Sequence, residues 1–126
     1  MNLPADLKYA RTHEWVRLEG DAVIVGITDP AQEMLGDVVF VGEVKVGARL
    51  EAGDVAGLVE SVKAASDIHA PVTGEVIAFN TELEAAPERL NVDPYGTWIF
   101  KMRPDSPDAL GDLLDASAYG EVVKSA

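Results

Sequence analysis

The chain has 126 residues, with 10 Lys and Arg against 22 Asp and Glu, a formal charge of −12 and no cysteine. That length suits one domain around one core, and an apolar share of 48% with 25% charged residues excludes a disordered or fibrous chain. The negative charge opposes nucleic-acid binding, the lack of cysteine removes disulfides, thiol nucleophiles and Cys-based metal sites, and no apolar run approaches the ~20 residues of a membrane span.

Residues 1–8 have neither the apolar core of a secretory leader nor the Arg- and Ser-rich character of a transit segment. A cytoplasmic protein is expected, or a mitochondrial one if the chain is a processed organellar form. Residues 13–18 alternate in character, Glu19-Gly20-Asp21 reads as a turn, and 22–27 is an apolar run, which together predict a β-hairpin. Asp29 is placed to cap a short helix, with Pro30 at its first position, Gln32 at the capping-box position and Gly36 at a left-handed exit after Met34-Leu35.

From Asp37 to Asn80 the short runs 38–41, 55–60, 67–70 and 75–79 are punctuated by Gly36, Gly42, Gly47, Gly53 and Gly74. Turn spacing of this kind predicts a sandwich or barrel of small antiparallel sheets rather than βαβ units. Residues 91–96 carry turn chemistry, and 97–102 read as one more strand. Ser106-Pro107-Asp108 then reads as a helix start, with Leu110, Leu113 and Leu114 at helical spacing, and a second short helix presents Tyr119, Val122 and Val123 on one face. No linker divides the chain, so 1–126 is expected to form one domain, with a hairpin-rich region over about 13–102 and C-terminal helices over about 106–124.

Several kinds of chemistry find little support. Glu14, Glu60 and Asp67 are the nearest candidates for paired acid–base carboxylates, yet a chain this acidic produces such residues by chance. His13 and His69 lack further ligands at metal-binding spacing and read as strand residues with ordinary hydrogen bonds. Neither Gly-rich phosphate motif occurs, and Trp15 and Trp98 read as core aromatics of adjacent strands. There remains Glu60-Ser61-Val62-Lys63-Ala64-Ala65-Ser66-Asp67, where two extended runs flank 61–64, a stretch that fits a tight turn at a hairpin tip. Lys63 would project into solvent there, either as a solvated cation weakly paired with Glu60 or Asp67 or as a functional amine.

A family resemblance bears on that choice. The chain resembles the H protein of the glycine cleavage system, through Tyr9, Thr12-His13-Glu14-Trp15-Val16, Val25-Gly26-Ile27-Thr28-Asp29, the run from Leu35 to Val41, Val59-Glu60-Ser61-Val62-Lys63-Ala64, the run from Ala70 to Val76, and Asn91-Val92-Asp93-Pro94-Tyr95-Gly96. The resemblance implies a mainly β, barrel-sandwich hybrid of two small antiparallel sheets, like lipoyl and biotinyl domains, with short helices including a C-terminal helical segment. It implies a covalent lipoyl group on Lys63, and an arm cleft to which Glu14, Asp67 and Thr12 correspond by position.

It further implies a carrier that is not itself an enzyme. Its partners would be glycine decarboxylase, a pyridoxal-phosphate enzyme, then an aminomethyltransferase using tetrahydrofolate, dihydrolipoamide dehydrogenase, and the enzymes that attach lipoate. Neither nucleic acid nor membrane is implied. Two segments depart from the family pattern: 94–98 is one residue shorter than usual, and 41–47 replaces a stretch that commonly carries Pro. The alternatives are an H-like lipoyl relay that donates lipoate to other enzymes, and a biotin carrier, whose lysine would usually lie between methionines rather than Val62 and Ala64.

Overall fold

The computed structural model describes every residue except Met1, Pro107 and Ala126. Among the described residues nine strands form two antiparallel sheets. The larger contains β1 (Lys8–Tyr9), β2 (Glu14–Glu19), β3 (Ala22–Ile27), β9 (Phe100–Pro104), β8 (Gly74–Phe79) and β5 (Arg49–Leu50), in that spatial order. The smaller contains β4 (Val38–Gly42), β6 (Val55–Ser61) and β7 (Ala65–His69). Among the described residues the α-helices are α1 (Asp29–Leu35), α2 (Glu82–Ala85), α3 (Arg89–Val92) and α4 (Ala116–Ser125).

The two sheets meet over Val16, Val25, Val41, Val59, Ile68, Val76, Phe100 and Met102, all buried in one cluster. Each such side chain contributes roughly 1.5–3 kcal/mol of burial. A second, smaller cluster lies on the other face of β2 and β3, where Tyr9, Trp15 and Ile24 are covered by Tyr119 of α4. This is why β2 buries Trp15 and Val16 in succession instead of alternating, since both of its faces are covered at that point. Trp15 lies across from Gly26, where an added Cβ would stand 2.6 Å from the indole, so the glycine is what admits the ring.

The predicted hairpin of 13–27 forms as β2 and β3, turning through Gly20 at φ 63°. Around α1 the cap is Thr28, whose Oγ1 accepts from the Ala31 N–H at 3.2 Å, rather than the expected Asp29. Asp29 and Pro30 are already inside the first turn, where the Asp29 carboxylate instead accepts from the Gln32 side chain at 2.8 Å. Gly36 supplies the expected exit at φ 78°.

Other elements differ from the sequence-based expectation. Asn91 and Val92 end the helix α3 rather than opening a turn, and β9 begins at Phe100, three residues later than expected. The helix expected after Ser106 is only a short 3-10 turn over Ala109–Asp112; Leu113 and Leu114 lie beyond it, and Pro107 is outside the described residues. The second predicted C-terminal helix is present as α4.

Candidate functional site

β6 and β7 pair as far as Glu60 and Ala65, leaving 61–64 as the hairpin tip. Ser61 holds this tip twice over. Its backbone N–H donates to the Ala64 carbonyl at 2.7 Å, and its hydroxyl oxygen accepts from the N–H groups of Lys63 at 3.3 Å and Ala64 at 3.1 Å. The tip is also tied sideways, because the Val62 N–H donates to the Asp37 carbonyl at 3.0 Å just beyond α1. No residue of the tip needs a left-handed backbone.

Lys63 is therefore exposed on a short, well-braced turn. Among the described residues no carboxylate lies within salt-bridge distance of its ammonium, which removes the simple ion-pair reading of this side chain. Its methylene stem rests on Gly36, where a Cβ would come within 3.4 Å of Cε. Asn91 fixes that shelf: its amide donates to the Gly36 carbonyl at 2.8 Å and to Gln32 at 3.1 Å, and its oxygen accepts from the Val38 N–H at 2.9 Å.

Beside the hairpin opens a cleft of about 290 Å³. Its apolar lining comes from Ile27, Ala31, Leu35, Val59 and Ile68, and its polar groups come from Thr12, His13, Glu14, Ser66 and Asp67. The three residues assigned to an arm cleft by family position, Thr12, Glu14 and Asp67, thus come together on one concavity. Asp67 and Thr12 are exposed at its rim, whereas Glu14 is only 1% exposed.

A carboxylate so enclosed needs partners. The Thr12 hydroxyl donates to Oε1, the backbone N–H of His69 donates to Oε2 at 3.0 Å, and the His69 ring Nδ1 approaches Oε2 at 3.4 Å. Burial pushes the Glu14 pKa upward, and the contacts with Thr12 and His69 pull it back. This reading of His69, a strand residue with an ordinary hydrogen bond, matches the sequence-based expectation; its choice of the Glu14 carboxylate as partner does not follow from sequence.

His13 departs from that expectation. It precedes β2 in a left-handed conformation at φ 78°. Its Nδ1 lies 2.6 Å from the Tyr119 hydroxyl, which also lies 2.7 Å from Thr28 Oγ1, so one phenol on α4 joins the loop before β2 to the cap of α1. Burial holds the His13 pKa below its ordinary value. Sequence patterning singled out Tyr119 only as an apolar contact and passed over Thr28. Their link spans 91 residues and has no local signal.

The remaining candidates do not join this site. Glu60 lies at the end of β6 outside the cleft lining; Trp15 is a core aromatic on β2 as expected, whereas Trp98 precedes β9 and packs half-buried against the smaller apolar cluster. Among the described residues no group of His, Asp and Glu could hold a metal ion, and no helix is long and apolar enough to cross a membrane.

Two small antiparallel sheets that raise a lysine on a braced hairpin, next to a sheltered cleft, define a carrier domain of the lipoyl and biotinyl type. The sequence profile described as glycine cleavage H-protein matches residues 7–126, and the chain belongs to that family. It is 62% identical to the glycine cleavage system H protein of Bordetella pertussis, covering 98% of this chain and 99% of that one. It is 60% identical to glycine cleavage system H protein 2 of Pseudomonas putida, with 97% of each covered. Among solved structures, a glycine cleavage system H protein from Mycobacterium marinum superposes with a TM-score of 0.85 at 40% identity, over 94% of this chain and 97% of that one.

Proposed function

We propose that the chain is the lipoyl-bearing shuttle of the glycine cleavage system, with lipoate joined through an amide to Lys63. It carries the aminomethyl group from glycine decarboxylase to the tetrahydrofolate-dependent aminomethyltransferase, and reducing equivalents to dihydrolipoamide dehydrogenase. When bound, the lipoyl group supplies a cyclic disulfide that takes up the one-carbon cargo and the electrons.

The chain's own residues bind, aim and shelter. Lys63 offers an accessible amine free of any carboxylate partner among the described residues, which fits acylation by a lipoyl-attaching enzyme. Ser61 and Asp37 fix the turn, so the point of attachment stays constant while the arm moves. The lysine and lipoyl chain together extend roughly 14 Å by summed bond lengths, enough to reach the adjoining cleft or a partner's active site.

In the cleft, Thr12, Glu14 and Asp67 surround the arm's end. An aminomethyl sulfide hydrolyses to a thiol, formaldehyde and ammonium, so withdrawing it from water preserves the cargo. The apolar lining excludes water, and the enclosed Glu14 carboxylate holds the cargo's ammonium. The protein itself performs no bond-making step, and we place it in the cytoplasm with its partner enzymes.

The observation that carries this reading is the unpaired Lys63 amine on a braced hairpin that borders the Glu14 cleft. Glycine-dependent exchange of carbon dioxide, reconstituted with purified decarboxylase and the lipoylated chain, tests it. Native chain should support exchange and Lys63→Ala should not; equal exchange by both would overturn the proposal.

A further inference from the structure

Glu14 Oε1 and Oε2 each offer two acceptor positions, and in the open cleft three of the four are occupied. The three donors differ in kind. The Thr12 hydroxyl donates to Oε1, and the His69 backbone N–H is fixed by the pairing of β7 with β6. The His69 ring is the loose one, with Nδ1 at 3.4 Å and a side chain still 27% exposed. No Lys or Arg among the described residues comes within salt-bridge distance of this carboxylate, so the His69 ring stands where a cation would otherwise be expected.

We infer that the His69 imidazole is a place-holder for the cargo: it rests on Glu14 Oε2 while the cleft is empty and yields that oxygen to the aminomethyl ammonium when the arm docks. The inference rests on the proposed sheltering role of Glu14. Oε2 has two acceptor positions, and the His69 backbone N–H and ring hold both, so an ammonium that takes this oxygen must displace one of them. The ring can give way because its contact is long and it borders solvent, whereas the backbone donor belongs to β7, and the Thr12 hydroxyl serves Oε1, the other oxygen.

In this arrangement Glu14 never stands without partners, and His69 sets how tightly the arm is held. A ring that competes for Oε2 weakens the docked state and so favours release of the arm to the next enzyme. His69 is thus a positioning residue acting through Glu14, and the strength of its competition is limited to that of one long, partly exposed hydrogen bond.

The test uses the full lipoylated chain, loaded with glycine and decarboxylase, with release of formaldehyde followed over time. His69→Val keeps the backbone N–H and suits a strand, but it removes the competing ring. It should lengthen the lifetime of the cargo about two- to fivefold, while His69→Gln, which restores a side-chain donor, should return it towards native. Nitrogen NMR of the histidine-labelled native chain should show the His69 Nδ1 resonance shift on loading, a change that a purely structural histidine would not give.

An unchanged or shorter lifetime in His69→Val, or a fixed Nδ1 resonance in the native chain, overturns the place-holder. A Glu14→Gln chain run alongside separates the two readings. If it loses cargo at the native rate the sheltering role of Glu14 itself fails, and if it loses cargo faster while His69→Val matches native, only the place-holder fails.

Discussion

Replacing Glu14 by Gln separates what this residue does for the fold from its proposed role toward the cargo. The amide has the same shape, and its oxygen can take the His69 N–H bond now made by Oε2 while its NH₂ donates to Thr12. Ionisation is less favourable in the native state than in the unfolded chain, because burial raises the Glu14 pKa above its ordinary 4.5. A raised carboxylate pKa means that the native state binds the proton more tightly than the unfolded chain. The resulting penalty is absent below the unfolded pKa, grows as pH rises from there to the folded pKa, and is complete above it.

Glu14→Gln is therefore expected to be as stable as native at pH 7 to within about 1 kcal/mol, or slightly more stable. Its stability should lack the decline with rising pH that Glu14 introduces. The cargo should behave otherwise. A charge-assisted hydrogen bond to an enclosed carboxylate is worth roughly 1.5–3 kcal/mol. If hydrolysis takes place only from the undocked arm, losing that bond shortens the cargo's lifetime about ten- to hundredfold. Urea unfolding across pH and formaldehyde release from the loaded chain measure the two halves. An unaltered lifetime, or a stability loss above about 3 kcal/mol, would refute the reasoning.

Tyr119→Phe removes the phenol that joins His13 to Thr28 and should cost about 1–3 kcal/mol in urea unfolding, with α4 loosened in hydrogen exchange. Gly26→Ala places a methyl 2.6 Å from the Trp15 indole and should lose about 1–3 kcal/mol with altered tryptophan fluorescence; native stability would show that the ring can move aside. His13 titrates in the opposite sense to Glu14. Its folded pKa lies below the ordinary 6.5, so the unfolded chain takes up the proton first, and stability should fall as pH drops below about 6.5. His13→Asn, a residue that tolerates the left-handed backbone at φ 78°, should flatten that acid-side fall in thermal unfolding.

The hairpins were legible because their signals are local. Gly20 supplies the positive φ that the turn between β2 and β3 uses, and β-branched runs between glycines mark most of the remaining strands. The cap of α1 was not, since Thr28 and Asp29 are adjacent good caps; a long-range contact with Tyr119 accompanies the choice of Thr28. The two-residue strands β1 and β5 and the one-turn helices α2 and α3 carry too little sequence to show a period.

For the site, Lys63 at a turn could be read from its flanking runs. Its neighbourhood could not, because Glu14 and His69 meet across 55 residues and Gly36 approaches Lys63 only once α1 has packed against the hairpin. Thr12, Glu14 and Asp67 entered by family position, and the geometry gives them a shared cleft.

Attachment at Lys63 is the step on which all later ones depend, and mass spectrometry of the intact chain after treatment with a lipoyl ligase and lipoate tests it most directly. The native chain should gain a single lipoyl group, mapped by peptide digestion to Lys63, and Lys63→Arg should gain none. A native chain that stays unmodified, or a variant that is modified to the same extent, would contradict the account.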